Sequence, residues 1–267
     1  MSPIIEMSSA IQEELIRVLH IDDDIDHLVI SKRYIKKFEP AITIDTTTSP
    51  DEVLDQLESY DCIVSDYKMP RMNGIELAQK VREISEIPFI LYTGQGSEEV
   101  ASDAFNVGVN DYLRKENEPD HYRVLAKRIR AAYARNLAEK KHRESEERYR
   151  TLLENASDMI QSVKLNGEFE YVNSSWLETL GYSLEEVSGM NVFDVIHPDH
   201  QSHCMELFSK VIKGESARDI RTVFVAKDGR KVYVEGNAFS RFLEGKVIAT
   251  HGFFHEVNER ARAPGLS

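Results

Sequence analysis

The chain has 267 residues, 30% of them charged and 41% hydrophobic, a globular balance that excludes disordered and fibrous classes and leaves room for about two domains. The net charge of −13 is unevenly placed: residues 1–118 hold 11 Lys/Arg against 24 Asp/Glu, residues 119–155 hold 10 against 6, and residues 156–267 hold 12 against 16; only the middle stretch is basic, with both signs interleaved, which argues against direct DNA binding and leaves at most a local basic helix face. No apolar run nears the roughly 20 residues that span a bilayer, and no basic region with an apolar core opens the chain, so a cytoplasmic protein is expected.

After a tail over residues 1–14, apolar runs alternate with amphipathic stretches. Strands are expected at Val18–Ile21, Ile42–Ile44, Cys62–Val64, Phe89–Tyr92 and Tyr112–Leu113, short enough to be buried on both faces. Cys62 falls inside one of them and Cys204 lies far away, which reads as two reduced thiols rather than a disulfide. Ser49-Pro50-Asp51-Glu52 reads as a capping box with proline in the first turn, and Ser97-Glu98-Glu99 as another helix start. Five such units predict an α/β domain over residues 15–135, a doubly wound, flavodoxin-like sheet of five parallel strands.

One long helix is expected from Pro119 to Ala156. Tyr122, Leu125, Ile129, Tyr133 and Leu137 give its first half a packing face. Residues 136–150 then read as a connecting helix, with acid-first pairs Glu139/Arg143, Glu144/Arg148 and Glu146/Arg150 worth about 0.3 kcal/mol each. It is a spacer or the strand of a coiled coil that pairs two copies of the chain; its apolar seam is too short to choose. His142 lies on this solvated stretch without a surrounding helical bundle, which argues against a phosphorylated histidine.

From Met159 the pattern becomes strand, turn, strand, helices, then three strands. Asn166-Gly167, Asp228-Gly229 and Glu244-Gly245 mark the turns, and Pro198 opens a helix that runs to Lys213. An α+β domain with a five-stranded antiparallel sheet is expected over residues 151–260, followed by a tail over 261–267.

The chemistry concentrates at the predicted strand ends of the first domain: Asp22 and Asp23 after strand one, Asp66 after strand three, Thr93 ending strand four and Lys115 after strand five. In an open α/β sheet, ligands bind beyond those ends. Three converging carboxylates repel one another unless a cation joins them, and an all-oxygen set suits Mg²⁺. A carboxylate beside such a cation can accept a phosphoryl group, with a lysine and a hydroxyl sharing its charge. Asp24 is a third acid in the run, but register favours Asp22 and Asp23.

His-Ile-Asp-Asp-Asp (20–24), Ser-Asp-Tyr-Lys-Met-Pro (65–70), Asn-Gly (73–74), Tyr-Thr-Gly (92–94) and Asp-Tyr-Leu-Arg-Lys (111–115) resemble the receiver domains of two-component systems. The resemblance implies that Asp66 is the phosphoacceptor and that Mg²⁺ is held by Asp22, Asp23, Asp66 and the backbone carbonyl of Lys68, with Asp23 the more direct ligand. It implies that Thr93 and Lys115 contact the phosphoryl group, and that Thr93 and Tyr112 form the switch. One departure stands out: receivers usually carry proline after the lysine, in a cis peptide, and here Glu116 follows. A cis bond before a non-proline residue costs about 3 kcal/mol, so a trans peptide is expected.

Tyr171-Val172-Asn173, Leu180-Gly181-Tyr182, Phe193–Asp199 and Lys227-Asp228-Gly229, led by Tyr149–Ala156, resemble the PAS sensor family. The photoactive flavin-binding subclass uses an Asn-Cys pair, whereas here Asn191 precedes Val192. His197, His200, His203 and Cys204 are expected in structural and surface roles rather than as a haem or metal site, and Trp176, Phe169, Phe193 and Phe224 in the core. No PAS ligand is assigned: the domain takes a small apolar ligand or, as preferred, serves ligand-free in docking or in pairing two copies of the chain. Together the two resemblances imply a response regulator of the receiver–PAS kind seen in archaea, including methanogens. It would take its phosphoryl group from a sensor histidine kinase, catalyse nothing beyond its own phosphorylation and dephosphorylation, and signal through a protein partner such as a transcription regulator rather than by binding DNA. The competing readings are the N-terminal part of a sensor histidine kinase, since the chain stops just after the last PAS strand, and a PAS ligand sensor tuned by the receiver.

Overall fold

The computed structural model describes residues 15–94, 98–116 and 118–257. The expected cap at Ser97, both tails and the final residues 258–260 of the second domain lie outside the described residues. The chain divides into two units, residues 1–143 and 144–267.

In the first unit the order is β1 (Ile16–Ile21), α1 (Ile25–Phe38), β2 (Ile42–Thr47), two 3-10 turns (Pro50–Glu52 and Leu54–Ser59), β3 (Cys62–Ser65), α2 (Gly74–Ile84), β4 (Phe89–Thr93), α3 (Glu98–Asn106), β5 (Asp111–Arg114) and the start of α4 (His121–Glu154). The strands are all parallel in the order β2-β1-β3-β4-β5. The chain winds one way from β1 to β2 and the other way from β3 onward, which opens a crevice above β1 and β3. Alternation sorts each strand between two cores. Leu19, Ile21, Ile63, Phe89 and Leu91 pack with Leu77, Val81 and Ala104 from α2 and α3. Val18, Val64, Ile90 and Tyr92 pack with Ile35 of α1 and with Tyr122, Leu125 and Ile129 of α4. Each fully buried aliphatic side chain of this kind contributes about 1.5–3 kcal/mol.

The capping box expected at Ser49 does not form, and 3-10 turns replace the α-helix there. The reason is Thr47, whose hydroxyl accepts from the Ser49 backbone N–H at 3.1 Å and donates to the Glu52 carboxylate at 3.2 Å. Both groups the box needs are thus taken, and the turn closes instead from the Val53 N–H to the Pro50 carbonyl. Val53 and Leu57 still reach the core.

In the second unit β6 (Met159–Lys164) and β7 (Phe169–Val172) form a hairpin, followed by α5 (Ser174–Leu180), α6 (Leu184–Val187), a 3-10 turn (Val192–Val195) and α7 (Pro198–Val211). Three long strands close the sheet: β8 (Ala217–Val225), β9 (Lys231–Leu243) and β10 (Lys246–Glu256). They pair antiparallel in the order β7-β6-β10-β9-β8. Trp176, fully buried, anchors the core beneath the sheet, with Phe169 edge-on at 5.1 Å. Phe169 and Phe224 are core residues as expected, and Phe193 packs at the margin. Asn173 ties the unit together. Its Oδ1 accepts from the Ile160 and Trp176 N–H groups, and its Nδ2 donates to the Leu153 and Asp158 carbonyls, all at 2.9–3.1 Å.

Candidate functional site: an acidic crevice at the strand ends

Backbone hydrogen bonds carry the sheet one residue past several strands, and that extension aims the chemistry. The Asp22 N–H donates to the Thr47 carbonyl, that of Asp66 to Ile21 and that of Lys115 to Thr93. Asp22, Asp23, Asp66, Lys68, Thr93 and Lys115 therefore line one crevice. Asp22, Asp66 and Thr93 are buried and Asp23 is exposed. Asp24 has another task, since its carboxylate caps α1 by accepting from the Asp26 and His27 N–H groups. Tyr112 does not line the crevice; it is half-buried beside Leu91, on the sheet face that also carries Thr93.

Lys115 is the electrostatic centre. Its Nζ lies 2.6 Å from Asp22 Oδ2 and 3.0 Å from Asp66 Oδ1, so one ammonium holds two carboxylates that would otherwise repel. The Lys115–Glu116 peptide is trans, as expected where glutamate replaces proline. The other Asp66 oxygen accepts from the Lys68 N–H at 3.1 Å. Burial pushes the Asp22 carboxyl up, but hydrogen bonds from His27 and Lys115 outweigh it and hold it down at about 2. Asp22 is thus a fixed negative charge. One oxygen from each of Asp22, Asp23 and Asp66 lies within 4.8 Å of the other two. An all-carboxylate set with an exposed side fits a hard, partly hydrated divalent cation.

Three residues of this region have roles that the sequence alone does not assign. Gly74 begins α2, and a Cβ there would lie 2.2 Å from the Asp66 carbonyl oxygen and 2.6 Å from Leu91 Cδ1. The loop after Asp66 closes only because that side chain is missing. The signal was the Asn73-Gly74 pair, in which Asn73 caps α2 in a full capping box with Glu76. The second is His27, whose Nδ1 lies 2.6 Å from Asp22 Oδ2. The third is His20, buried behind Asp22, with burial lowering its pKa to about 3. His20 opens the His-Ile-Asp-Asp-Asp run and His27 lies outside every motif, so the sequence assigns neither a role and only the fold brings them together.

Two family models match the chain: the response regulator receiver domain over residues 18–127 and the PAS fold over residues 147–257. The chain carries a response-regulator receiver domain followed by a PAS domain. Among curated proteins, an uncharacterized transcriptional regulatory protein of Bacillus subtilis, YclJ, is 27% identical over 57% of this chain and 66% of its own length. The methanogenesis regulatory protein FilR1 of Methanothrix harundinacea is 32% identical over 37% of this chain and 24% of its own length. The chain thus matches less than two thirds of each relative. Similar solved structures include a receiver domain from Clostridium thermocellum (26% identity, 46% of this chain, 98% of that one, TM-score 0.42). Another is the PAS domain of an HTR-like protein from Haloarcula marismortui (22% identity, 46% of this chain, 99% of that one, TM-score 0.40).

The PAS domain holds an apolar cavity of about 60 Å³ between α7 and the sheet, lined by Phe193, Phe208, Phe224 and Phe254 among others. Its polar edge is already paired: Gln161 accepts from the Trp176 indole at 3.0 Å, and Thr222 meets the Cys204 thiol at 3.3 Å. Burial pushes the Cys204 thiol up, which suppresses thiolate chemistry. His197 caps α7 by accepting from the Asp199 N–H. Among the described residues, the two clusters with metal-binding spacing both lie in the receiver, and neither includes His197, His200 or His203. No described helix is long and apolar enough to cross a membrane.

Proposed function

We propose that the protein is a phosphorylation-operated response regulator whose receiver accepts a phosphoryl group on Asp66 from the phosphohistidine of a partner kinase. The observation that carries this reading is the Lys115 ammonium spanning Asp22 and Asp66 in a crevice that also holds Asp23 and Thr93. Asp22, Asp23, Asp66 and the Lys68 carbonyl would hold Mg²⁺, which would supply charge neutralisation for the transferred group. Asp66 supplies the attacking oxygen. The O–P bond forms as the P–N bond of the donor breaks, and the donor imidazole keeps the electron pair. Lys115 stands beside the nucleophile before transfer and afterwards pairs with the added charge, about −1.5 to −2 at neutral pH. Thr93, at the end of β4, donates its hydroxyl to the phosphoryl group, and the space it leaves admits Tyr112 from the same sheet face.

The output passes through α4 and the PAS domain to a protein partner. The PAS cavity supports a docking role over a large cofactor, because drug-sized ligands and cofactors need roughly 300 Å³ or more. The acidic balance of residues 156–267 supports a partner other than DNA.

The test is intact mass after incubation with Mg²⁺ and a small phosphodonor, wild type beside Asp66→Asn. One added phosphoryl group in the wild type alone is the expected result. Incorporation by Asp66→Asn at the wild-type rate would sink the assignment.

A further inference from the structure

Behind the acidic crevice, on the sheet face packed against α1 and α4, lies a group of imidazoles that phosphotransfer does not use. His20 precedes Asp22 by two residues on β1 and leaves the sheet on the same face. His27 sits in the first turn of α1, its ring 5.8 Å from that of His20. One donor atom from each of His20, Asp22 and His27 lies within 4.8 Å of the other two. His20 and Asp22 are buried, while the His27 side chain keeps 16% of its surface exposed.

A neighbour favours one tautomer of His20. Ser31 Oγ gives its one proton to the Leu28 carbonyl at 3.0 Å, so at 2.9 Å it accepts from His20 Nδ1–H. Nε2 then carries the lone pair, and it is buried with no hydrogen-bond partner. A neutral imidazole oriented through its other nitrogen is the form in which histidine binds transition metals.

We propose that His20, Asp22 and His27 form a second metal site, for Zn²⁺ or a similar transition cation, which adjoins the Mg²⁺ pocket and shares Asp22 with it. Two imidazoles and a carboxylate, with water in the fourth position, are a zinc donor set, whereas Mg²⁺ favours oxygen alone. Ligands of a tetrahedral Zn²⁺ stand about 3.3 Å apart. The His27–Asp22 contact of 2.6 Å therefore opens by less than an ångström as the metal replaces the proton between them. That proton leaves through the exposed edge of His27. Asp22 Oδ2 also accepts from Lys115 Nζ at 2.6 Å, so metal and ammonium compete for one oxygen. Occupancy thereby couples transition-metal supply to the position of Lys115. That consequence rests on the phosphotransfer reading, whereas the site does not.

The experiment is a Co²⁺ titration of the full chain in saturating Mg²⁺, read by visible ligand-field absorption, with folding checked by circular dichroism. One equivalent with tetrahedral bands, displaced by Zn²⁺, is expected. Binding should weaken at least tenfold in His27→Leu and His20→Phe, and tighten several-fold in Lys115→Met, which removes the competitor. If His20→Phe does not fold, His27→Leu, at a partly exposed position, decides. No stoichiometric binding, bands that survive both imidazole substitutions, or bands lost in His200→Ala would each overturn the site. Phosphorylation of Asp66 is followed on the same samples, so a failure of that chemistry reads separately from the Co²⁺ result.

Discussion

Asp23 and Thr93 separate three duties that the crevice combines: holding the cation, accepting the phosphoryl group and reporting it. Asp23 is the exposed acid of the set, so its replacement by asparagine removes charge without opening the core. A cation at a hundred times its dissociation constant stabilises the domain that binds it by about 2.7 kcal/mol. Mg²⁺ should therefore raise the melting temperature of the wild-type receiver and leave Asp23→Asn nearly unmoved, as scanning calorimetry would show. Thr93 is buried at the end of β4 and contributes no carboxylate. Thr93→Ala should still take up phosphate on Asp66, yet the change in Tyr112 environment that follows phosphorylation, read by fluorescence or hydrogen exchange over β5, should vanish. A normal change in that variant would remove Thr93 from the route.

Two elements are held by single residues whose replacement is predictable from their surroundings. Ala at position 74 would gain up to about 1 kcal/mol of helix propensity. It would also drive a methyl group to within 2.2 Å of the Asp66 carbonyl, an overpacking that costs about 1–3 kcal/mol and cannot be relieved by a rotamer. The clash outweighs the gain, so Gly74→Ala should destabilise the receiver by up to about 2 kcal/mol in urea and slow phosphorylation, because the displaced backbone is that of the nucleophile. In the PAS domain, Asn173→Ala would strand two buried N–H groups and two carbonyls, a loss of about 3 kcal/mol or more. Glu154, at the end of α4, accepts from the Tyr171 hydroxyl and from the Ser174 N–H and hydroxyl at 2.7–2.9 Å. Burial pushes its carboxyl up, and those hydrogen bonds outweigh burial and hold it below its ordinary value of 4.5. A folded-state pKa lowered in this way gives stability that is present above pH 4.5 and lost as the pH falls below it. Glu154→Gln should flatten the acid limb of PAS unfolding; an unchanged limb would assign that pH dependence elsewhere.

These elements also show what a sequence can disclose. The receiver strands were legible because each is short and apolar and four of the five end at a chemically distinctive residue, and the PAS strands because Asn-Gly, Asp-Gly and Glu-Gly turns punctuate them. The 3-10 turns after β2 were not, because the decisive hydrogen bonds come from Thr47, which precedes the apparent capping box and belongs to a strand. His27 was hidden for a similar reason. A histidine in the first turn of a helix carries no signal until the fold sets it 2.6 Å from Asp22. Local chemistry is written in the chain, whereas pairing across elements depends on distances that spacing does not encode.

For the molecule as a whole, the question is whether α4 transmits or merely tethers. The helix runs from His121 to Glu154 without a break; its first turns are buried in the receiver core and its last residues are tied to the PAS hairpin region through Leu153 and Glu154. Between them, residues 138–148 are almost entirely exposed and carry both charges. A rigid helix transmits rotation, and each inserted residue turns everything beyond it by about 100°. Seven residues make nearly two full turns and restore the phase to within about 20°. If phosphorylation acts through the helix, inserting two residues near Glu144 should abolish the phosphorylation-dependent change in hydrogen exchange of the PAS sheet, and inserting seven should keep it. A flexible tether would leave both insertions alike. Asp66→Asn, run beside them, ties whatever change is seen to the phosphoryl group.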